Sequence, residues 1–103
     1  MNLEEFVTIA SLLDIYSELL SGKQKEYMIE HFEKDLSLSE IAKSKDVSRQ
    51  AVHDNIKRGV VILNDYEAKL GIYKKKLELK EELLKLKADF VIERLDKIID
   101  EII

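Results

Sequence analysis

One stretch constrains the fold more than any other: Ser37-Leu-Ser-Glu-Ile-Ala-Lys-Ser-Lys-Asp-Val-Ser-Arg-Gln-Ala-Val-His-Asp-Asn-Ile56. It reads as two short helices joined by a tight turn. Ser37 is placed to cap the first helix through its hydroxyl, and Glu40 to reach back and complete a capping box. Ile41 and Ala42 give that helix an inward face, and the small Ala42 lets another helix approach closely. Lys45 and Asp46 make the break, Val47 points back inside, and Ser48 is placed to cap the second helix. There Ala51, Val52 and Ile56 share one face, because residues three to four apart on a helix lie on the same side. Arg49, Gln50, His53, Asp54 and Lys57 share the other. A short helix held by an apolar back and showing an Arg/Gln/His front is what a helix-turn-helix reading element requires. The plainer reading is two ordinary helices of an α-bundle with a solvated face. It gives no reason for the caps, the small residue and the turn to fall in this order.

An all-α chain is expected around the motif. With no Pro and three Gly in 103 residues, little interrupts helix formation. Apolar residues make up 46% of the chain, enough for one compact core. The absence of Cys excludes disulfides, thiolate metal sites and a cysteine nucleophile. The acidic start, Met-Asn-Leu-Glu-Glu-Phe, lacks the basic region of a signal peptide, and no apolar run approaches the length of a membrane span. A soluble cytoplasmic protein is therefore expected. There is no glycine-rich phosphate loop, metal-ligand cluster or ordered Ser/His/Asp set, so neither an enzyme nor a cofactor is expected.

Charge is distributed unevenly. The chain carries a net −4, whereas nucleic-acid binders usually carry a basic surplus. Residues 37–63 hold Lys43, Lys45, Arg49, Lys57 and Arg58 against Glu40, Asp46 and Asp54, the one segment with a positive balance. Such a small surplus predicts modest, salt-sensitive affinity for DNA.

Before the motif, Asn2 with Glu5 forms a capping box for a first helix. Phe6, Ile9, Leu13, Tyr16 and Leu20 then make a helical stripe, widened by Leu12 and Leu19. Ser21-Gly22 ends it, Gly22 suiting a left-handed C-cap. A second helix from about Lys23 to Lys34 buries Tyr27 or Met28 with Phe32, and leaves His31 at the surface. After the motif the reading helix continues through Val60, Val61, Ile62, Leu63, Tyr66 and Leu70 to Gly71, with Gly59 marking close packing or a bend. Residues 1–71 thus form one helical domain containing the motif at 37–58. From 72 to 103, Leu84, Ala88, Val91, Leu95, Ile98 and Ile102 recur in heptad steps, flanked by Leu83, Phe90, Ile99 and Ile103. One long amphipathic helix is expected there, packing on a second copy to make a homodimer or back along the first helix.

Four runs carry a resemblance: Leu12-Leu-Asp-Ile-Tyr-Ser-Glu-Leu-Leu, Lys23-Gln-Lys-Glu-Tyr-Met, Asp35-Leu-Ser-Leu-Ser-Glu-Ile-Ala, and Val47-Ser-Arg-Gln-Ala-Val-His-Asp-Asn-Ile-Lys-Arg58. They resemble the YlxM-type bacterial proteins, which are similar to region four of sigma factors. The resemblance covers about residues 12–73 and is most specific from Ser48 to Arg58. It implies a helix-turn-helix whose second helix enters a major groove. Because the genes of such proteins lie beside those of the signal recognition particle GTPases, it also implies a regulatory link to that pathway. Two positions depart from the pattern: Asp46 stands where such turns carry Gly, and His53 where Tyr is expected.

Two functions follow. In one, a dimer binds duplex DNA: Arg49 or Gln50 reads base edges, His53 adds a contact, and Ser48, Lys57 and Arg58 hold phosphates. In the other, the motif docks on a signal-recognition-particle component or its RNA, as the acidic first helix favours.

Overall fold

The computed structural model describes residues 1–102, in two units: Met1–Leu70, and a second from Gly71 onward. All regular structure among them is helical. In the first unit, α1 (Leu3–Tyr16) starts where the Asn2 side chain accepts the Glu5 N–H at 2.8 Å. It buries Ile9, Leu12, Leu13 and Tyr16. A 3-10 turn, Ser17–Leu19, then shifts the helical phase. That shift turns Leu20 inward and leaves Leu19 49% exposed, so Leu19 does not widen the buried stripe as its spacing predicts. Gly22 is left-handed (φ 53°), as a chain break requires, but it opens α2 (Gly22–Phe32) and does not close α1.

Helix α2 buries both Tyr27 and Met28 together with Phe32. His31 departs from its expected surface position and is half-buried. Its Nδ1 lies 2.7 Å from the Leu36 carbonyl oxygen. A carbonyl only accepts, so Nδ1 carries the proton. The ring meets Phe6 and Phe32 edge-on, with centroids 5.8 and 4.9 Å away. Its polar partner is backbone five residues on, which side-chain spacing does not reveal.

Helix α3 (Leu38–Lys45) leads through the turn to α4 (Arg49–Leu70), which runs unbroken past Gly59. A Cβ on Gly59 would lie 3.0 Å from Cγ and Sδ of Met28. Close approach of α2 to α4, not a bend, therefore explains this glycine. Val52, Ile56 and Leu63 form the buried back of α4, against which α1, α2 and α3 pack. The Tyr16 hydroxyl donates to Glu67 at 2.7 Å, and the Tyr16 and Tyr66 rings stack at 6.0 Å.

In the second unit, two helices replace the single long one expected over 72–103: α5 (Ile72–Ala88) and α6 (Ile92–Ile102). Asp89 ends α5 with φ −143° and ψ 81°, its N–H on the Lys85 carbonyl at 3.0 Å. The Val91 carbonyl then accepts from Arg94 and Leu95 to start α6. Early α5 residues Lys75 and Leu79 lie beside late α6 residues Ile98 and Ile102, so the two helices run antiparallel. The reversal lets Leu86 and Ile98 both be buried, where a straight helix would hold them about 18 Å apart. It also divides the expected heptad seam. Ile98 is buried and Leu95 half-buried, whereas Leu84, Ala88, Val91 and Ile102 are exposed. Ile103, expected at the flank of that seam, lies outside the described residues.

Candidate nucleic-acid interface

The turn between α3 and α4 is built from reciprocal backbone and side-chain bonds. Ser37 Oγ accepts the Glu40 N–H at 3.1 Å, and Glu40 Oε1 accepts the Ser37 N–H at 3.0 Å, completing the capping box. The Ser37 N–H, with the Ser37 hydroxyl second, holds the Glu40 carboxyl below its ordinary range. At the other end of α3, Asp46 is left-handed (φ 54°, ψ 48°). The Val47 N–H reaches the Ala42 carbonyl at 3.0 Å and the Asp46 N–H reaches Lys43 at 3.4 Å. This pairing is the Schellman closure, whose left-handed residue is usually Gly. Asp is among the few other residues that adopt this conformation with any frequency. Val47 is half-buried, and Ser48 Oγ accepts the Ala51 N–H at 3.0 Å, capping α4.

Lys45 has a structural role instead of a place on the charged surface. Its ammonium bonds Glu26 and, at 3.3 Å, Glu30, both on α2. The Glu26 bond, with Glu30 adding, pushes the Lys45 pKa up. One of the five bases in the positive segment is thereby engaged in tying α3 to α2. Nothing in the local sequence shows it, because the partners lie fifteen or more residues away.

The first half of α4 carries the expected front and back. Val52 is fully buried and Ala51 half-buried. All six expected contact residues, Ser48, Arg49, Gln50, His53, Lys57 and Arg58, are exposed. At 3.6 residues per turn, Gln50, His53, Asp54 and Lys57 run along one face, with Arg49 and Arg58 on its opposite edges. Gln50 Nε2 donates to Asp54 Oδ1 at 2.9 Å, and His53 Nδ1 lies 3.5 Å from the same oxygen. The Gln50 bond is the largest cause holding the Asp54 carboxyl below its ordinary range; His53 and the Arg58 charge add to it. Spacing alone could have shown this pair, since Gln and Asp four apart on a helix bond each other. Arg58 Nη2 lies 3.5 Å from Asn55 Oδ1, and Asn55 Nδ2 in turn donates to the Ala51 carbonyl at 2.9 Å. Arg49 and Lys57 make no ion pair among the described residues. The interface thus offers two unengaged cations, one amide held by a carboxylate, one imidazole and a capped helix N-terminus.

Among the described residues no cluster of His, Asp and Glu could hold a metal ion, and no helix is long and apolar enough to cross a membrane. Residues 3–102 match the family described as "Putative helix-turn-helix protein, YlxM / p13 like" (UPF0122). The chain is 61% identical to a UPF0122 protein of Fusobacterium nucleatum across the full length of both. It is 49% identical to the UPF0122 protein YlxM of Bacillus subtilis over 75 residues, 73% of this chain and 68% of that one. A UPF0122 protein of Staphylococcus haemolyticus is 55% identical over 64 residues, 62% of this chain and 58% of its own length. With the helix-turn-helix in place and the match spanning nearly every residue, the chain belongs to the UPF0122 family of YlxM/p13-like helix-turn-helix proteins.

Proposed function

We propose that the chain binds duplex DNA through the N-terminal half of α4 and acts as a regulatory protein. One observation carries this reading: Arg49 and Lys57 stand exposed, with no ion-pair partner among the described residues, on a helix anchored to the core by Val52 and Ile56. A helix with its side chains is about 10–12 Å across, matching the ~12 Å width of the major groove. Arg49 reads guanine and Gln50 adenine through bidentate contacts, and His53 contacts a neighbouring base. Lys57, Arg58, the Ser48 hydroxyl and the N–H groups at the start of α4 hold phosphates. The likeness of YlxM-type proteins to sigma region four, and the place of their genes, support regulation tied to the signal recognition particle pathway.

Selection from a random duplex library at low salt tests this. The expected outcome is an enriched motif, lost in Arg49→Ala and Gln50→Ala. Lys57→Ala weakens all duplexes alike and lowers the salt slope by about one. The net charge of −4 favours a second reading, docking on a protein or RNA component of the particle. An unenriched library together with capture of such a component replaces the first reading by the second.

A further inference from the structure

We infer that the groove bordered by α1, α2, α3 and the first half of α4 is a binding site for a free fatty acid of medium length, whose carboxylate rests on the Lys57 ammonium. The groove has a volume of about 560 Å³, within the ~300–1,000 Å³ usual for small-molecule sites. Phe32 and Ile56 are its buried residues, Phe6, Leu38 and Val60 are half-buried, and Met1 stands at its edge. The Phe6 and Phe32 ring centroids are 4.8 Å apart, and His31 meets both rings edge-on. Such a lining suits an aliphatic chain, because every methylene taken out of water favours the bound state.

Charge selects the head group. Three basic side chains border the groove, His31, His53 and Lys57, and no carboxylate does. The groove between α1 and α4, by contrast, carries Glu4 and Glu5, and those along the hairpin carry Glu78, Glu82 and Glu101. In a chain of 21 acids and net charge −4, an apolar groove edged only by bases is the exception. Both histidines of the chain lie in it. His31 commits Nδ1 to the Leu36 carbonyl, which leaves Nε2 without a partner among the described residues. Asp54, beside His53, is engaged by Gln50 Nε2 at 2.9 Å. Lys57 makes no ion pair among the described residues, so its ammonium can give a carboxylate a charge-assisted hydrogen bond. Lys57 and His53 also belong to the face proposed to meet DNA, so a bound acid withdraws that cation from the duplex. This consequence, unlike the binding itself, rests on the DNA reading.

Calorimetric titration of the full chain with octanoate, in the absence of DNA, is the test, and its outcome stands whether or not a duplex binds. Octanoate binds at a single site, and 1-octanol, with the same apolar body and no charge, binds at least about fivefold more weakly. Octylammonium binds more weakly still. Lys57→Gln, at an exposed position, keeps the fold and lowers octanoate affinity about fivefold, level with octanol. Lys43→Gln, exposed on α3 and off the groove, leaves the affinity within about twofold. On addition of octanoate the methyl resonances of Leu38, Ile56 and Val60 shift, whereas those of Leu83 and Ile99 in the hairpin stay in place. Absence of binding at millimolar octanoate, an affinity indifferent to Lys57, or shifts confined to the hairpin overturns the inference. So does an affinity that ignores the head group, which would make the groove a seat for an uncharged side chain of a protein partner.

Discussion

The two units of this chain hold themselves together in opposite ways. Thirteen of the fifteen buried apolar side chains among the described residues belong to residues 1–70, and two belong to the hairpin. In the first unit four helices share one core, and capping bonds, a left-handed Asp and a lysine clamp fix its turns. In the hairpin Leu86 and Ile98 alone are buried among the described apolar residues, while Leu83, Leu84, Ile92, Ile99 and Ile102 stay exposed. The hydrophobic content of the two sequences is similar, so what separates them is how many faces each helix can cover at once. Helix α4 is packed by three neighbours and α6 by one.

Placing a charge in the dense core should produce the largest effect. Val52→Asp buries an unpaired carboxylate at a fully buried site and should cost about 3–5 kcal/mol, enough to abolish the thermal transition of the first unit. A midpoint within a few degrees of wild type would show that Val52 does not face inward. A matched pair of truncations sharpens the contrast. Leu13→Ala should cost about 2–5 kcal/mol. Ile98→Ala should leave the main transition nearly in place and loosen the α5–α6 hairpin instead, read as faster amide exchange in α6. Equal losses from the two would mean that the units melt as one.

Smaller effects probe the turn. Asp46→Gly removes left-handed strain of about 1 kcal/mol but loosens the unfolded chain, so the net gain should stay below about 1 kcal/mol. Calorimetry should therefore show a slightly raised midpoint; a lowered midpoint would mean that the Asp46 side chain itself stabilises the turn. The smallest effect is one of pH. The carboxyl of Asp54 titrates below its ordinary value when folded, so its contribution is present above about pH 4 and is lost as pH falls through the lowered value. The stability difference between wild type and Gln50→Ala should accordingly appear at pH 6 and vanish in strong acid. A difference that persists at low pH would assign it to packing, not to the carboxylate.

Much of the first unit was legible because its signals are local. Caps at Asn2, Ser37 and Ser48 bond residues three positions on, and the buried face of α4 repeats at helical spacing. What escaped was set by distant partners: Lys45 on Glu26 and Glu30, and His31 on a backbone carbonyl. The break at 89–91 escaped for another reason. No Gly or Pro marks it, and the heptad spacing of Leu84 to Ile102 runs straight through. Packing of α5 against α6, with Leu86 and Ile98 buried, overrode a strong local pattern. In the candidate interface, residue positions were legible from spacing, and the four-residue step from Gln50 to Asp54 on one face of α4 also carried the signal for the bond between them.

That bond changes what recognition through Gln50 can yield. The amide nitrogen carries two hydrogens: one engages Asp54, and the other, with Oε1, remains for a base edge. An adenine contact of the kind proposed would therefore leave the bond to Asp54 in place, and a side chain already held in one rotamer would lose less freedom on meeting its base. Asp54 would meanwhile stand as a negative charge beside the base-reading positions, where a cytosine amino group satisfies it and a phosphate repels it.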